Sequence, residues 1–209
     1  MGLRLGATAP NFTAETTVGE LTFHDWKADS WAVFFSHPAD FTPVCTTELG
    51  RTAALRDEFE KRNTKAIALS VDSLADHLSW LPDIGAATGS EVNFPVVADP
   101  HRNVADLYGM VHPGTGDAST VRSVFVIDPD HTVRLTLTYP KSVGRNFDEI
   151  VRVLDALQAT DRNPIATPAD WRPGDRVVVA PNVSTEDAGN QFHNVEEITP
   201  YLRLADDPS

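Results

Sequence analysis

The stretch from Trp31 to Arg62 constrains the fold most. It holds an apolar run of strand length, Trp31-Ala32-Val33-Phe34-Phe35, and then the loop-forming run His37-Pro38-Ala39-Asp40-Phe41-Thr42-Pro43-Val44. An amphipathic helix follows from about Thr46 to Arg62, with Leu49, Leu55 and Phe59 turned inward. This strand–loop–helix unit is followed by more of the same alternation. Ala66 to Val71 reads as a buried strand, and Leu74, Leu78 and Leu81, spaced by four and three, predict a short helix that stops near Pro82. Phe94 to Ala98 is a third strand, Asn103 to Tyr108 a short helix, and Val121 to Ile127 a strand rich in β-branched residues.

After a turn at Asp128-Pro129-Asp130-His131, Val133, Leu135 and Leu137 alternate with polar residues, as in an antiparallel strand with one wet face, and a helix runs from about Phe147 to Leu157. A βαβ portion, a β-hairpin and a closing helix predict an α/β protein: a thioredoxin-like sandwich with a central mixed β-sheet flanked by helices. The length of 209 residues and an apolar fraction of 41% suffice for one substantial domain and an extension. From about Asn163 the texture turns to Pro, Asp and polar residues, with Val177-Val178-Val179 the one clear strand candidate. Residues 1–162 are therefore expected to form the main domain and 163–209 a small C-terminal extension.

The formal net charge of −13 argues against nucleic acid or an anionic membrane surface as a partner, since both would repel the chain. It does not affect small neutral substrates. No run approaches the ~20 apolar residues of a membrane span, and the opening Met1-Gly2-Leu3-Arg4-Leu5-Gly6 lacks the apolar core of a signal peptide, so the expected location is the cytoplasm.

Cys45 is the only cysteine, and it falls at the start of the predicted helix. There the partial positive charge of unsatisfied backbone N–H groups favours the thiolate, which makes Cys45 a candidate nucleophile. With no partner cysteine in the chain, an oxidised Cys45 must be reduced from outside. Pro38 and Pro43 restrict the backbone on either side, and Thr42 sets a hydroxyl three residues before the thiol. Position alone is also compatible with a buried structural thiol.

The pattern Pro-x-x-x-Thr-x-x-Cys, here Pro38, Thr42 and Cys45, resembles the active-site motif of the peroxiredoxins, and the likeness is closest to their one-cysteine, peroxiredoxin-6-like branch. It extends over nearly the whole chain: Gly6-Ala7-Thr8-Ala9-Pro10-Asn11-Phe12, Ser36-His37-Pro38, Cys45-Thr46-Thr47-Glu48-Leu49-Gly50, Arg122-Ser123-Val124-Phe125-Val126-Ile127-Asp128, Tyr139-Pro140, Gly144-Arg145-Asn146-Phe147-Asp148-Glu149-Ile150 and Thr167-Pro168-Ala169-Asp170-Trp171. The resemblance implies a thioredoxin-like fold, a homodimer in which the C-terminal segment packs on a second subunit, and reduction of hydrogen peroxide and alkyl hydroperoxides at Cys45. It implies no cofactor and no metal. A sulfenic acid on Cys45 would be recycled by an external thiol such as thioredoxin or a glutathione-like compound.

Free cysteine, with pKa ~8.5, is roughly 3% thiolate near pH 7, and lowering the pKa to ~6 raises that fraction about thirty-fold. Falling nucleophilicity, with a slope of ~0.4–0.5, takes back roughly ten-fold, so a fast peroxidase must owe most of its rate to positioning and transition-state stabilisation. By the resemblance, Thr42 and Arg122 bind the peroxide, the N–H groups near Val44 and Cys45 hold its oxygens, and Pro38 shields the sulfur. Glu48 and Arg145 match a supporting network, and His37 adjoins Pro38 as a hydrogen-bonding group near the site. Arg122 begins a core strand, where a charge is costly unless paired. Glu48 reads equally well as a first-turn acid, and Arg145 as a solvated cap.

Two other functions share this sequence. An acyl hydrolase would use Ser30 with His24, but the segment Ala28-Asp29-Ser30-Trp31-Ala32 has alanine where the tight turn of a nucleophile elbow uses glycine. A redox sensor or holdase would use Cys45 without efficient turnover. The histidines and the single cysteine lack zinc-ligand spacing, and Gly114-Thr115-Gly116 lacks the third glycine of a dinucleotide fingerprint.

Overall fold

In the computed structural model, which describes residues 2–208, the first element is a hairpin that apolar periodicity does not reveal. Strand β1 (Thr13–Thr16) pairs antiparallel with β2 (Gly19–Thr22). These short strands are mostly Thr, Glu and Gly, and they are held by their ladder, by a 2.8 Å contact between the Thr13 and Thr22 hydroxyls, and by Gly19 at φ +105°. Helix α1 (Phe23–Lys27) leads into β3 (Trp31–Ser36), every residue of which is buried. There follow α2 (Pro43–Ala54), α3 (Arg56–Lys61), β4 (Thr64–Ser70), α4 (Leu74–Thr88), β5 (Val96–Ala98), α5 (Asn103–Leu107), β6 (Arg122–Ile127) and β7 (Val133–Tyr139). These elements belong to a first compact unit, which ends at Phe147.

Its seven strands form the expected mixed sheet in the order β2-β1-β5-β4-β3-β6-β7, with β3, β4 and β5 parallel and β6 and β7 antiparallel. Central strands covered on both faces read as continuous apolar runs, which is why β3 and β4 are legible. At the edge, β7 alternates half-buried Leu135 and Leu137 with exposed Thr136 and Thr138. Successive side chains on β3 point to opposite faces. Phe34 joins an aromatic cluster with Phe12, Phe23, Tyr108 and Phe125, in which Phe12 stacks on Phe23 at 5.0 Å and Tyr108 meets Phe34 edge-on at 4.8 Å. Phe35 meets Phe94 and Phe147, both at 5.9 Å.

Two helices depart from expectation. The helix expected from Thr46 to Arg62 starts at Pro43, because proline fits the first helical position, and it breaks at Leu55 into α2 and α3. The helix expected to stop near Pro82 continues to Thr88. Pro82 is exposed, so the carbonyl it leaves unbonded, that of exposed Leu78, can be met by water. Burial of Trp80 and Ile84 holds the turns on either side, and Gly89 at φ +73° ends the helix.

The second unit begins at Asp148, so it includes most of α6 (Phe147–Arg162) and starts before the expected boundary at residue 162. Ala159 of α6 shares an apolar core with Ile165, Trp171, Val177, Val179, Val183, Ala188, Phe192 and Ala205. Beyond the expected strand at Val177, this unit holds a four-stranded antiparallel sheet. Its strands are β8 (Ile165–Ala166), β9 (Val177–Val179), β10 (Glu196–Thr199) and β11 (Leu202–Ala205), ordered β10-β11-β9-β8, with α7 (Thr185–Gln191) between β9 and β10. None of the described helices is long and apolar enough to cross a membrane.

Candidate active site

The C-terminal end of β3 is tied to the start of β6 by side chains. Ser36 Oγ donates to Val121 O (2.6 Å) and accepts from Ser123 N (3.1 Å), and Thr120 Oγ1 donates to His37 O (2.7 Å). The chain then turns through Pro38, buried, and Phe41, whose φ of +53° is unusual for a bulky residue, into α2. Thr42 is the N-cap by backbone geometry, but its hydroxyl donates to Ala39 O (2.8 Å). Its proton is thereby engaged, and its lone pairs accept from none of the described residues. The first α2 backbone bond runs from Thr46 N to Thr42 O (3.0 Å), so the N–H groups of Val44 and Cys45 precede the intrahelical ladder.

Cys45 is buried on α2, and Glu48 lies three residues on, along the same helix face. Arg122, 3% exposed at the first position of β6, reaches both: its Nη1 donates to Cys45 Sγ (3.3 Å) and to Glu48 Oε2 (2.7 Å). Its Nε (2.9 Å) and Nη2 (2.6 Å) both donate to Lys141 O. A guanidinium has five N–H donors, and these bonds use four, so one Nη2–H has no partner among the described residues.

Arg145 lies beneath, with its side chain fully buried. It clasps Glu48 through its backbone N (2.8 Å), Nε (2.9 Å) and Nη2 (2.5 Å), its Nη1 donates to Ser36 O and Ser123 O, and its guanidinium lies over the Phe35 ring at 4.8 Å. Burial penalises the Glu48 carboxylate, yet the hydrogen bonds and charge of Arg145, with the charge of Arg122, hold it below the usual carboxylate range. Burial pushes the Arg145 guanidinium down, against the opposing pull of Glu48. The structure thus brings Cys45, Glu48, Arg122 and Arg145 together as one bonded group.

His37 belongs to a neighbouring chain of bonds that sequence reasoning did not find. Its Nε2 donates to Asp40 Oδ1 (2.8 Å), and His77 Nδ1 meets Asp40 Oδ2 (2.5 Å). Asp40 N donates to Asp72 Oδ2 (3.0 Å). Burial pushes the His37 imidazole down more than Asp40 raises it. Asp40 is penalised by burial but held below its ordinary value by the two imidazoles. His37 Nδ1 is buried with no partner among the described residues. His37, Asp40 and His77 place potential metal-ligating atoms within 4.8 Å of one another, and both imidazoles stand at hydrogen-bond distance from Asp40.

Ser30 and His24 are engaged elsewhere. Ser30 Oγ donates to Lys27 O (2.6 Å), while His24 Nε2 meets Ala9 O (2.9 Å) and its ring stacks on His131 at 3.8 Å. The carbonyls of Ala28, Ser30 and Pro129 converge on the ammonium of buried Lys27.

The profile of the AhpC/TSA family matches residues 5–136, and that of the C-terminal domain of 1-Cys peroxiredoxin matches residues 156–194. The chain belongs to the peroxiredoxin family, in its one-cysteine, peroxiredoxin-6-like branch, and is a thiol-dependent peroxidase. It is 50% identical over 208 residues to the 1-Cys peroxiredoxin of Dictyostelium discoideum, covering 99% of this chain and 86% of that one. The fold matches a mutant Peroxiredoxin 6 of Arenicola marina with TM-score 0.94 and 48% identity over 100% of both chains. It matches a yeast mitochondrial 1-Cys peroxiredoxin, whose structure concerns thiol resolution via glutathione/thioredoxin systems, with TM-score 0.92 and 50% identity over 98% of this chain and 99% of that one.

Proposed function

We propose that Cys45 is the peroxidatic residue and that Arg122 and Thr42 hold the peroxide against it. The observation that carries this reading is the Arg122 Nη1 contact of 3.3 Å to Cys45 Sγ, made by a guanidinium that Glu48 and Lys141 fix in place and that retains one free N–H. The thiolate attacks the near peroxide oxygen, forming an S–O bond as the O–O bond breaks. Sulfur is oxidised by two electrons to the sulfenic acid, the attacked oxygen keeping its hydrogen, and the departing oxygen takes a proton from solvent to leave as water or alcohol. Thr42 accepts the peroxide O–H. The free Arg122 N–H and the Val44 and Cys45 N–H groups meet the growing negative charge. Pro38 closes one wall, and Glu48 and Arg145 keep Arg122 aligned.

An external thiol then condenses with the sulfenic acid, releasing water and leaving a mixed disulfide, and a second thiol attacks its external sulfur, forming an external disulfide and releasing the Cys45 thiolate. Thioredoxin and a glutathione-like thiol are the reductants proposed, supported by the systems named for the yeast relative. The second unit, from Asp148 on, is proposed to pack on another copy in a homodimer. The location proposed is the cytoplasm, with the mitochondrion of the yeast relative as the competing compartment.

Stopped-flow oxidation by equimolar hydrogen peroxide tests the reading, with Cys45→Ser beside it. Trp80, whose ring lies 5.4 Å from His37 and 6.2 Å from Phe41, serves as reporter. Fast loss of one thiol equivalent, absent in the variant, is expected, with +32 Da on the Cys45 peptide as peroxide rises. A rate no better than free cysteine would make Cys45 a sensor or structural thiol.

A further inference from the structure

The carbonyl that orients Arg122 belongs to a residue that is itself held from outside the site. Arg122 is paired with Tyr139 in the sheet register, so the chain leaves β7 opposite it, and Lys141, two residues on, turns its carbonyl back to accept both Nε and Nη2. The side chain of the same residue goes the other way. Lys141 Nζ donates to Ser119 Oγ (2.6 Å) and pairs with the Asp117 carboxylate, which also accepts from Ser119 N (2.8 Å) and Ser119 Oγ (2.6 Å). Asp117 and Ser119 lie on the loop that returns from Met110 to the start of β6. That loop and the one after β7 flank the site, and the Lys141–Asp117–Ser119 contact fastens one to the other.

We propose that Lys141 is a positioning residue for peroxide reduction, its ammonium latched to Asp117 and Ser119 so that its carbonyl holds the Arg122 guanidinium against Cys45. The inference rests on the role given to Arg122 above. Its chemistry is distinct from that of the buried network. Glu48 and Arg145 are shut away from solvent, whereas the Asp117 side chain is 62% exposed, and this latch is open to salt. The pull of the Lys141 ammonium and the Ser119 hydrogen bonds keeps Asp117 ionised well below the usual carboxylate range, so the latch stays closed across physiological pH.

The test is the second-order rate of Cys45 oxidation by hydrogen peroxide, a neutral substrate whose approach salt does not steer. Lys141→Met, Asp117→Asn and Ser119→Ala are each expected to slow it by about three-fold, the scale of one exposed ion pair, and Lys141→Arg to restore most of the rate. In the parent protein, raising salt from about 0.01 M to about 1 M is expected to lower the rate by a similar factor, and in Asp117→Asn to leave it flat. In an Arg122→Met background the latch variants are expected to add nothing, which a general loosening of the fold would not produce. Should Lys141→Met fold poorly, the two loop variants carry the test, with thermal melts to confirm an intact fold. Latch variants that match the parent in rate and salt dependence, while Arg122→Met remains slow, would overturn the latch alone. An unimpaired Arg122→Met would overturn the role of the arginine itself.

Discussion

The two ends of β3 carry two candidate nucleophiles in opposite electrical settings. Before the strand, Ser30 donates its hydroxyl proton to a carbonyl, and the carbonyls of Ala28, Ser30 and Pro129 face inward on the Lys27 ammonium. After it, Cys45 sits at a helix start whose N–H groups precede the ladder, with Arg122 donating to the sulfur. A reaction that builds negative charge on a departing oxygen needs donors in place beforehand. One end of the strand supplies them, and the other supplies acceptors around a buried cation. Both residues are nucleophiles by type, and the orientation of the neighbouring dipoles separates them.

The widest separation is expected from deleting each nucleophile. Cys45→Ser should abolish peroxide consumption, and Ser30→Ala should leave the rate within error of the parent; a slow Ser30→Ala with intact fold would break the contrast. Next, Arg122→Met should cost about a hundred-fold in peroxide rate, the scale of losing one preorganised donor, with secondary structure retained by circular dichroism. Glu48→Gln, which removes the one buried acid shared by Arg122 and Arg145, should cost about 3 kcal/mol in urea unfolding.

At the other end, Lys27→Met should cost about 1–2 kcal/mol, since three carbonyls lose their donor, while the peroxide rate stays unchanged. The smallest and broadest effect is on pH dependence. His37 in the fold is held below its ordinary value of 6.5 and Glu48 below 4.5. In each window the unfolded chain binds the proton first, so stability should decline as pH falls through about 6.5 and again below about 4.5. Urea titrations of the parent and His37→Asn between pH 5 and 7.5 should show a shallower slope in the variant.

The legible parts of this molecule were those written in contiguous residues. Strands β3, β4 and β6 are apolar runs because both faces are covered, and Cys45, Thr42, Glu48, Arg122 and Arg145 lie within motifs. Burial of Arg145 was less legible, because a guanidinium before a helix reads as a solvated cap until Phe35, Ser36 and Ser123 are placed around it. Asp40, Asp72 and His77 are illegible for the same reason: only folding brings the loops after β3 and β4 and helix α4 together around Asp40, whose carboxylate meets both imidazoles and whose backbone N–H donates to Asp72. Lys141 acts on Arg122 through a backbone carbonyl, which any residue type would offer, so no pattern could mark it. Strand β10, with Glu196 and Glu197 on an exposed edge, has no apolar alternation to find.

The sharing of Glu48 between two arginines sets the electroneutrality of the pocket. With the sulfur ionised, two guanidiniums face one carboxylate and one thiolate, and the formal charges cancel. Transfer of an oxygen converts the thiolate to a neutral sulfenic acid while the arginines stay as they were, leaving one positive charge in excess inside a protein whose net charge is −13. The oxidised pocket is a small cationic hole in an acidic molecule. An incoming thiolate is repelled by the molecule at long range and drawn in over the last few ångströms, and the balance that oxidation removed returns only when Cys45 is released again as a thiolate.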